Sequence, residues 1–302
     1  MNTLDFRALE QRLAYYRDQT LDRLLAELPS SKSGYLWELV PIYPQREGKG
    51  LRAALCLATC HAFGGSSKLA LNTAAAIELL HNAFLVHDDA QDGSKFRRGQ
   101  PSLFYEYGPA VAINVGNALS LLALERLLDN HLLLGPNIAL NLIRDTQEML
   151  HHTLEGQAIE SAWIRDNVCN LEFLDYYSLC LKKTAWYTTI FPCRAGAWIA
   201  TGHRQDARRL DRYGWYLGLA FQIQDDLLNL TGQFECYGKE IADDLLEGKR
   251  TLMLIHLLRS VKGNDRKKLV KFLKKPRQFR SMHKAQQAVS YTHLTLPTSD
   301  LV

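Results

Sequence analysis

Apolar residues recur every three to four positions along most of this 302-residue chain, the period of helices that bury one face. In residues 4–28, Phe6, Leu9, Leu13, Tyr16, Leu24 and Leu28 mark one such face, and Ser30, Ser31, Ser33 and Gly34 end it. Pro41 and Pro44 predict an extended loop, followed by a helix beginning near Leu51 in REGKGLRAALCLATCHAF. Leu69 to His87 reads as a long central helix with little polar interruption. Further helices are predicted over Ala110 to Asn130, Ala139 to about Asp166, Glu172 to about Thr201 and about Gln205 to Leu230, with Pro192 kinking or dividing the third. Period-two alternation is not sustained anywhere, and no Asn-Gly or Asp-Gly turn joins two apolar runs. The expectation is an all-α fold of long antiparallel helices around a central cavity, formed as one domain because no Gly/Ser- or Pro-rich linker divides the chain.

The polar residues that break this pattern are clustered. In Glu78 to Pro101, ELLHNAFLVHDDAQDGSKFRRGQP, Asp88 and Asp92 lie one helical turn apart on one face, flanked by Asp89. Carboxylates so placed repel one another unless a cation sits between them, and a hard divalent ion that also holds a substrate's phosphates, Mg²⁺ above all, suits them. Arg97 and Arg98 then read as ligands for phosphate oxygens, although a solvated acidic helix end before a turn explains the segment alone equally well. A second apolar run, FQIQDDLLNL, carries Asp225 and Asp226, with Asn229 four residues after the first. Burying that pair beside Phe221, Ile223, Leu227 and Leu228 is costly unless it is paired or metal-bound. Two such helices suggest two walls around a shared metal cluster. Lys49 and Arg52 fall at the start of a helix, where amides and dipole favour an anion, but they also fit a solvated cap. His81, about two turns before Asp88, is a core histidine or, beside a diphosphate, a donor. Lys183 and Thr184 sit in an apolar, aromatic run where a buried lysine needs a partner. The loop YGKEIADDLLEGKRTLMLIH supplies Lys239, Asp244, Lys249 and Arg250, its lysines either covering a cavity or facing water.

Composition narrows the classes. Apolar residues make up 47% of the chain, enough for a sizeable core. No uninterrupted apolar run approaches the roughly 18 residues of a spanning helix, and the charged, amphipathic N-terminus is no signal peptide, so no transmembrane segment is expected. The six cysteines form no CxxC pair, and Cys56 and Cys60 share a helix face in the manner of packing residues; a reducing cytoplasm fits. The net charge of +4 is unevenly spread: residues 262–280 hold nine Lys/Arg against Asp265, and the remainder carries 27 positive against 31 negative charges. That basic block fits a solvated helix or a transient contact with anionic lipid headgroups, and not nucleic-acid binding, since no such motif accompanies it.

Taken in order, GKGLR, HNAFLVHDDAQD, RRGQP, the Lys-Thr pair at 183–184, FQIQDD and GKEIADDLLEGK resemble the trans-isoprenyl diphosphate synthases, and among them the geranylgeranyl diphosphate synthases, over about residues 40–285. The resemblance implies an isoprenoid-synthase bundle, usually a homodimer, that joins isopentenyl diphosphate to an allylic diphosphate with three Mg²⁺ ions. By motif position, Asp88, Asp92 and Asp225 are then metal ligands, with Asp89 and Asp226 in support. Arg97, Lys183, Thr184, Gln222, Lys239 and Lys249 hold the allylic diphosphate, and Lys49, Arg52, His81 and Arg98 hold isopentenyl diphosphate. Asn229 replaces an aspartate found in many relatives, a pattern the geranylgeranyl type tolerates. Phe84, about 5.4 Å deeper along the helix than Asp88, forms part of a floor, and Ala83 leaves the neighbouring direction open, which favours a C20 over a C15 product. A class I terpene cyclase needs no isopentenyl site, and a non-catalytic partner subunit needs no intact acidic motifs. Residues 289–302, VSYTHLTLPTSDLV, correspond to what a transposon-end sequencing adapter encodes in one frame, so the synthase domain is taken as 1–288 and expected to lack C-terminal helices, with an apolar face left exposed.

Overall fold

A computed structural model describes residues 6–26, 28–29, 35–46, 48–203, 207–231 and 243–280; Lys239 and the 289–302 segment lie outside them. The helices are α1 (Phe6–Leu25), α2 (Ile42–Gln45), α3 (Leu51–Ala62), α4 (Ser67–Asp92), α5 (Leu103–Leu134), α6 (Pro136–Arg165), α7 (Phe173–Cys180), α8 (Phe191–Thr201), α9 (Asp211–Thr231), α10 (Asp243–Glu247), α11 (Leu252–Ser260) and α12 (Gly263–Leu273). Strand structure among the described residues is a two-residue ribbon, β1 (Phe96–Arg97) paired antiparallel with β2 (Gln100–Pro101). The all-α class is therefore what the chain adopts.

Contacts divide it into two compact units, Met1–His151 with Ala185–Leu217, and His152–Thr184 with Gly218–Val302. In the first, α4 is the central element, packed on by α1, α2, α3, α5 and α8. Its core includes Leu57, Leu79, Leu119, Leu127 and Phe191. α3 and α8 approach closely because Gly196 has no side chain: a Cβ there would stand 2.2 Å from the Cys56 carbonyl oxygen. Cys56 and Cys60 are fully buried at this seam, and burial pushes the nearby Cys193 thiol up to about 11. The second unit has a leucine core, Leu245, Leu246, Leu254, Leu257, Leu258, Leu269 and Leu273. Beside it Arg250 is buried to 1% exposure, its guanidinium donating to the Val168 carbonyl at 2.8 Å and to Asn167 Oδ1 at 2.9 Å.

One local expectation needs correction and two gain detail. The Pro41–Pro44 loop is not extended throughout, because Ile42–Gln45 makes a helical turn. The division expected near Pro192 is present: a π-helix over Leu181–Ile190 gives way to α8 at Phe191, one residue before the proline. Proline lacks an amide and its ring crowds the preceding turn, and the wider π spacing accommodates it. The run labelled α5 starts at Leu103, where Ser102 caps it by accepting from the Tyr105 amide at 3.0 Å, but Gly108 (φ +81°, ψ 170°) breaks it, and the helix predicted from Ala110 is the part from Pro109 onward.

Two helices bear on the expectation about membrane spans. Ser67–Asp92 and Leu103–Leu134 are each long and apolar enough, by length and composition, to cross a membrane, at a mean hydropathy of 1.4. Single polar residues such as Asn72 and Glu78 interrupt the apolar run of α4, which is why no unbroken run reaches that length. In α4, 72% of the most apolar window is buried, as in a core helix; in α5 the figure is 44%.

Candidate active site

α4 ends at Gly93, whose φ of +66° closes the helix as its amide bonds back to the Asp89 carbonyl. Asp88 and Asp92 therefore occupy the C-terminal turn, the end at which the helix dipole disfavours carboxylates. Both are partly exposed, whereas Asp89 between them is fully buried. It accepts from the Tyr43 hydroxyl at 2.5 Å, from Arg97 Nε at 3.0 Å and from Arg97 Nη2. Burial and the adjacent carboxylate push the Tyr43 phenol upward. Burial works against the Arg97 charge, but Asp89 outweighs it and keeps the guanidinium protonated.

Arg97 and Arg98 stand on the two-residue hairpin. Arg98 (φ +54°) and Gly99 (φ +75°) form the turn between the paired Arg97 and Gln100, both left-handed as a type I′ turn requires. A side chain in that region is strained, and such strain concentrates at functional sites. The Arg98 guanidinium lies over Gly48, where a Cβ would be 2.8 Å from Nη2, and donates to the Arg46 carbonyl at 2.9 Å. Arg46 in turn donates to the Pro101 carbonyl at 2.8 Å and stacks 4.6 Å over the Tyr43 ring.

One turn and more below, a second polar group is buried in the same unit. Arg52 and His81 are 8% and 9% exposed, with Arg52 Nη1 3.4 Å from His81 Nε2 and Arg52 Nη2 donating to the Tyr187 hydroxyl at 2.9 Å. His81 Nδ1 is buried without a hydrogen-bond partner. Burial, and then Arg52, Arg98 and Arg97, hold its imidazole well below the usual histidine range, so it is neutral. Glu78 accepts from the Ala53 amide at 3.2 Å; burial raises its pKa while Arg52 and Arg98 oppose that. Phe84 is partly buried with its ring edge-on to Tyr187 at 5.3 Å, Ala83 is fully buried, and Lys49 is exposed in the loop before α3. Tyr43, Arg46, Glu78 and Tyr187 were not identified from sequence. Glu78 carried a signal, a charged residue within an apolar helix, and so did Tyr187, four positions after Lys183 in KKTAWY.

The second unit assembles the other predicted residues. Asp226, 3% exposed, accepts from the Tyr176 hydroxyl at 2.7 Å and from Gln222 Nε2 at 2.6 Å, and the Gln222 amide oxygen accepts from Thr184 at 2.7 Å. Burial and then Asp244 push the Asp226 carboxyl up to about 7, against the hydrogen bonds from Gln222 and Tyr176. Asp225, one position earlier, is partly exposed. Lys183, carried by the π-helix, is ion-paired with buried Glu160, and Lys249 with Glu247 at 2.5 Å. Asn229 is fully buried: its Oδ1 accepts from the Asp244 amide at 3.3 Å, and its Nδ2 has no partner. Asp226, Asn229, Asp244 and Lys249 line a small open cleft together with Leu230, Leu245, Leu254 and Leu257.

Among the described residues, no group of three His, Cys, Asp or Glu side chains could hold a metal by itself. The exposed donors are carboxylates, as hard cations prefer, and an incomplete shell fits an ion that shares its coordination with substrate phosphates. Asp88 and Asp92 thus offer oxygen atoms at the C-terminal end of α4, while Arg52 of α3 and Arg98 of the hairpin lie near His81 on its flank, an end suited to a cation and a flank suited to an anion. Lysines held by carboxylates in the second unit offer further anion-binding charge.

Residues 35–292 match a family described as Polyprenyl synthetase. The chain is 34% identical over 226 residues to a short chain isoprenyl diphosphate synthase of Methanothermobacter thermautotrophicus, covering 75% of this chain and 68% of that one. It is 32% identical to a geranylgeranyl diphosphate synthase of Saccharolobus solfataricus, covering 75% and 67%. Among solved structures it resembles a geranylgeranyl pyrophosphate synthetase from Pyrococcus horikoshii, with a TM-score of 0.81, 26% identity and 95% and 88% of the two chains covered.

Proposed function

Because the chain belongs to the polyprenyl synthetase family, we propose that it is a short-chain trans-prenyltransferase that joins isopentenyl diphosphate head-to-tail to an allylic diphosphate, with the geranylgeranyl product favoured. The observation that carries this reading is the buried Arg52–His81 pair beside Arg98: three anion-binding groups flank the helix that also bears Asp88 and Asp92. A cyclase, which takes one diphosphate, has no use for them.

In this reading Asp88, Asp92 and Asp225 hold Mg²⁺, three ions in all, with Asp89 and Asp226 orienting neighbouring groups. The ions would withdraw charge from the leaving diphosphate and so ease breakage of its C–O bond. Lys183, Thr184, Gln222, Lys249, Arg97 and Lys239 bind the allylic diphosphate and stabilise the charge it gains. Neutral His81, with Nδ1 unoccupied, donates to isopentenyl diphosphate together with Arg52, Arg98 and Lys49. Apolar walls exclude water, which would otherwise capture the allylic cation. Phe84 limits the chain.

A homodimer is the expected assembly. Leu121, Leu124, Leu128 and Leu132 on α5 are 52%, 43%, 50% and 77% exposed and follow helical spacing, an apolar row suited to a second copy. Free buried thiols support a reducing compartment, the cytoplasm.

The deciding experiment incubates the purified chain with isopentenyl diphosphate, each allylic diphosphate and Mg²⁺, and sizes the products. Chain elongation that EDTA stops and Mg²⁺ restores is the expected result. Conversion of an allylic diphosphate without isopentenyl diphosphate would identify a cyclase, and no conversion a non-catalytic subunit. Phe84→Ala should lengthen the product; an unchanged length would remove Phe84 from the floor.

A further inference from the structure

Folding sorts the basic run at 262–280 by residue type. Its arginines are used by the protein itself: Arg266 donates to Asn170 Oδ1 at 2.6 Å, Arg277 binds Asp243 at 2.7 Å and Glu247 at 2.8 Å, and Arg280 donates to the Leu273 carbonyl at 2.8 Å. Its lysines face outward. Lys262, Lys267, Lys268, Lys271, Lys274 and Lys275 are all exposed, while Leu269 and Leu273 turn the other side of α12 into the core of its unit. Lys267, Lys271 and Lys274 fall at helical spacing, and Lys268 and Lys275 lie beside them. Asp265, 3.2 Å from Lys268, is the one carboxylate within 262–280. Phe279, 64% exposed, stands just beyond the helix.

We propose that this lysine face docks on the surface of an anionic phospholipid bilayer. Four to eight lysines on an exposed amphipathic helix match the charge density of anionic headgroups, and each contributes roughly fivefold to affinity. A compact ammonium is a point charge that a diffuse anionic surface satisfies without fixed geometry. Nucleic-acid readers rely instead on arginine forks and stacked aromatics, and here the forks are turned inward. Docking of this kind goes beyond prenyl transfer and does not depend on it.

The test is co-sedimentation of the full chain with vesicles of about one-third phosphatidylglycerol in phosphatidylcholine, against phosphatidylcholine alone. Binding to the anionic vesicles only, lost at high salt, is expected. The Lys267→Gln/Lys271→Gln/Lys274→Gln variant should bind about 100-fold more weakly while keeping its melting temperature and turnover. A charge-matched control, Lys68→Gln/Arg144→Gln/Arg208→Gln, changes exposed residues elsewhere and should bind as the parent does. Equal binding to phosphatidylcholine, equal loss in the control, or release from vesicles by matched charge of duplex DNA or inorganic diphosphate would each overturn the idea.

Discussion

Asp89 differs from the aspartates on either side of it because its carboxylate is already engaged by Tyr43 and Arg97. Asp89→Asn leaves a buried guanidinium without its counter-charge, and unfolding in urea should show a loss of about 3–5 kcal/mol. Tyr43→Phe removes one donor to Asp89 and strands the Leu103 amide that bonds to the phenol at 3.2 Å, for about 1–3 kcal/mol. Asp88→Asn, at a partly exposed position, should abolish turnover with little effect on stability. His81 supplies the pH dependence. Its folded pKa is depressed, so the stability it contributes is complete above the unfolded value of about 6.5 and is lost as pH falls from there. His81→Gln should flatten that acid limb in thermal melts. A bound diphosphate would raise the imidazole pKa, so titration calorimetry in two buffers near pH 6 should detect proton uptake by the parent and none by the variant.

At the scale of elements, two glycines on helix seams predict losses of different kinds. A Cβ at Gly196 would meet the Cys56 carbonyl oxygen, so Gly196→Ala should force α3 from α8 and lower stability by about 1–3 kcal/mol. A Cβ at Gly156 would stand 2.4 Å from the Lys183 backbone nitrogen, so Gly156→Ala should displace the segment that carries Lys183 and raise the KM for allylic diphosphate more than that for isopentenyl diphosphate. Neither contact is visible in a sequence, because both join residues far apart in the chain. The helices themselves were legible from apolar periodicity, and the acidic motifs from their conflict with it. The π-helix was not, since a period-3.6 pattern tolerates a locally wider turn. The Arg98–Gly99 turn also escaped notice, because arginine seldom takes a left-handed conformation and does so here with its guanidinium packed against Gly48 and bonded to the Arg46 carbonyl. Of the site residues, those with charge in an apolar run were found, whereas tyrosines holding them, Tyr43, Tyr176 and Tyr187, look like ordinary core aromatics until their hydroxyls are placed.

For the whole molecule, the α5 leucine row sets the assembly prediction. Leu124→Arg/Leu128→Arg should give a monomer by sedimentation at micromolar concentration, and an unchanged sedimentation coefficient would mean that this face joins nothing. The engagement of Asp89 also bears on how a mutational scan of the entire chain is to be understood. Scored by enzyme output in cells, substitutions at Asp88, Asp89 and Asp92 would fall into one class of null alleles. Trimethylamine oxide or a lower culture temperature should rescue the middle one alone, dividing the null class into a folding defect and two lesions of chemistry.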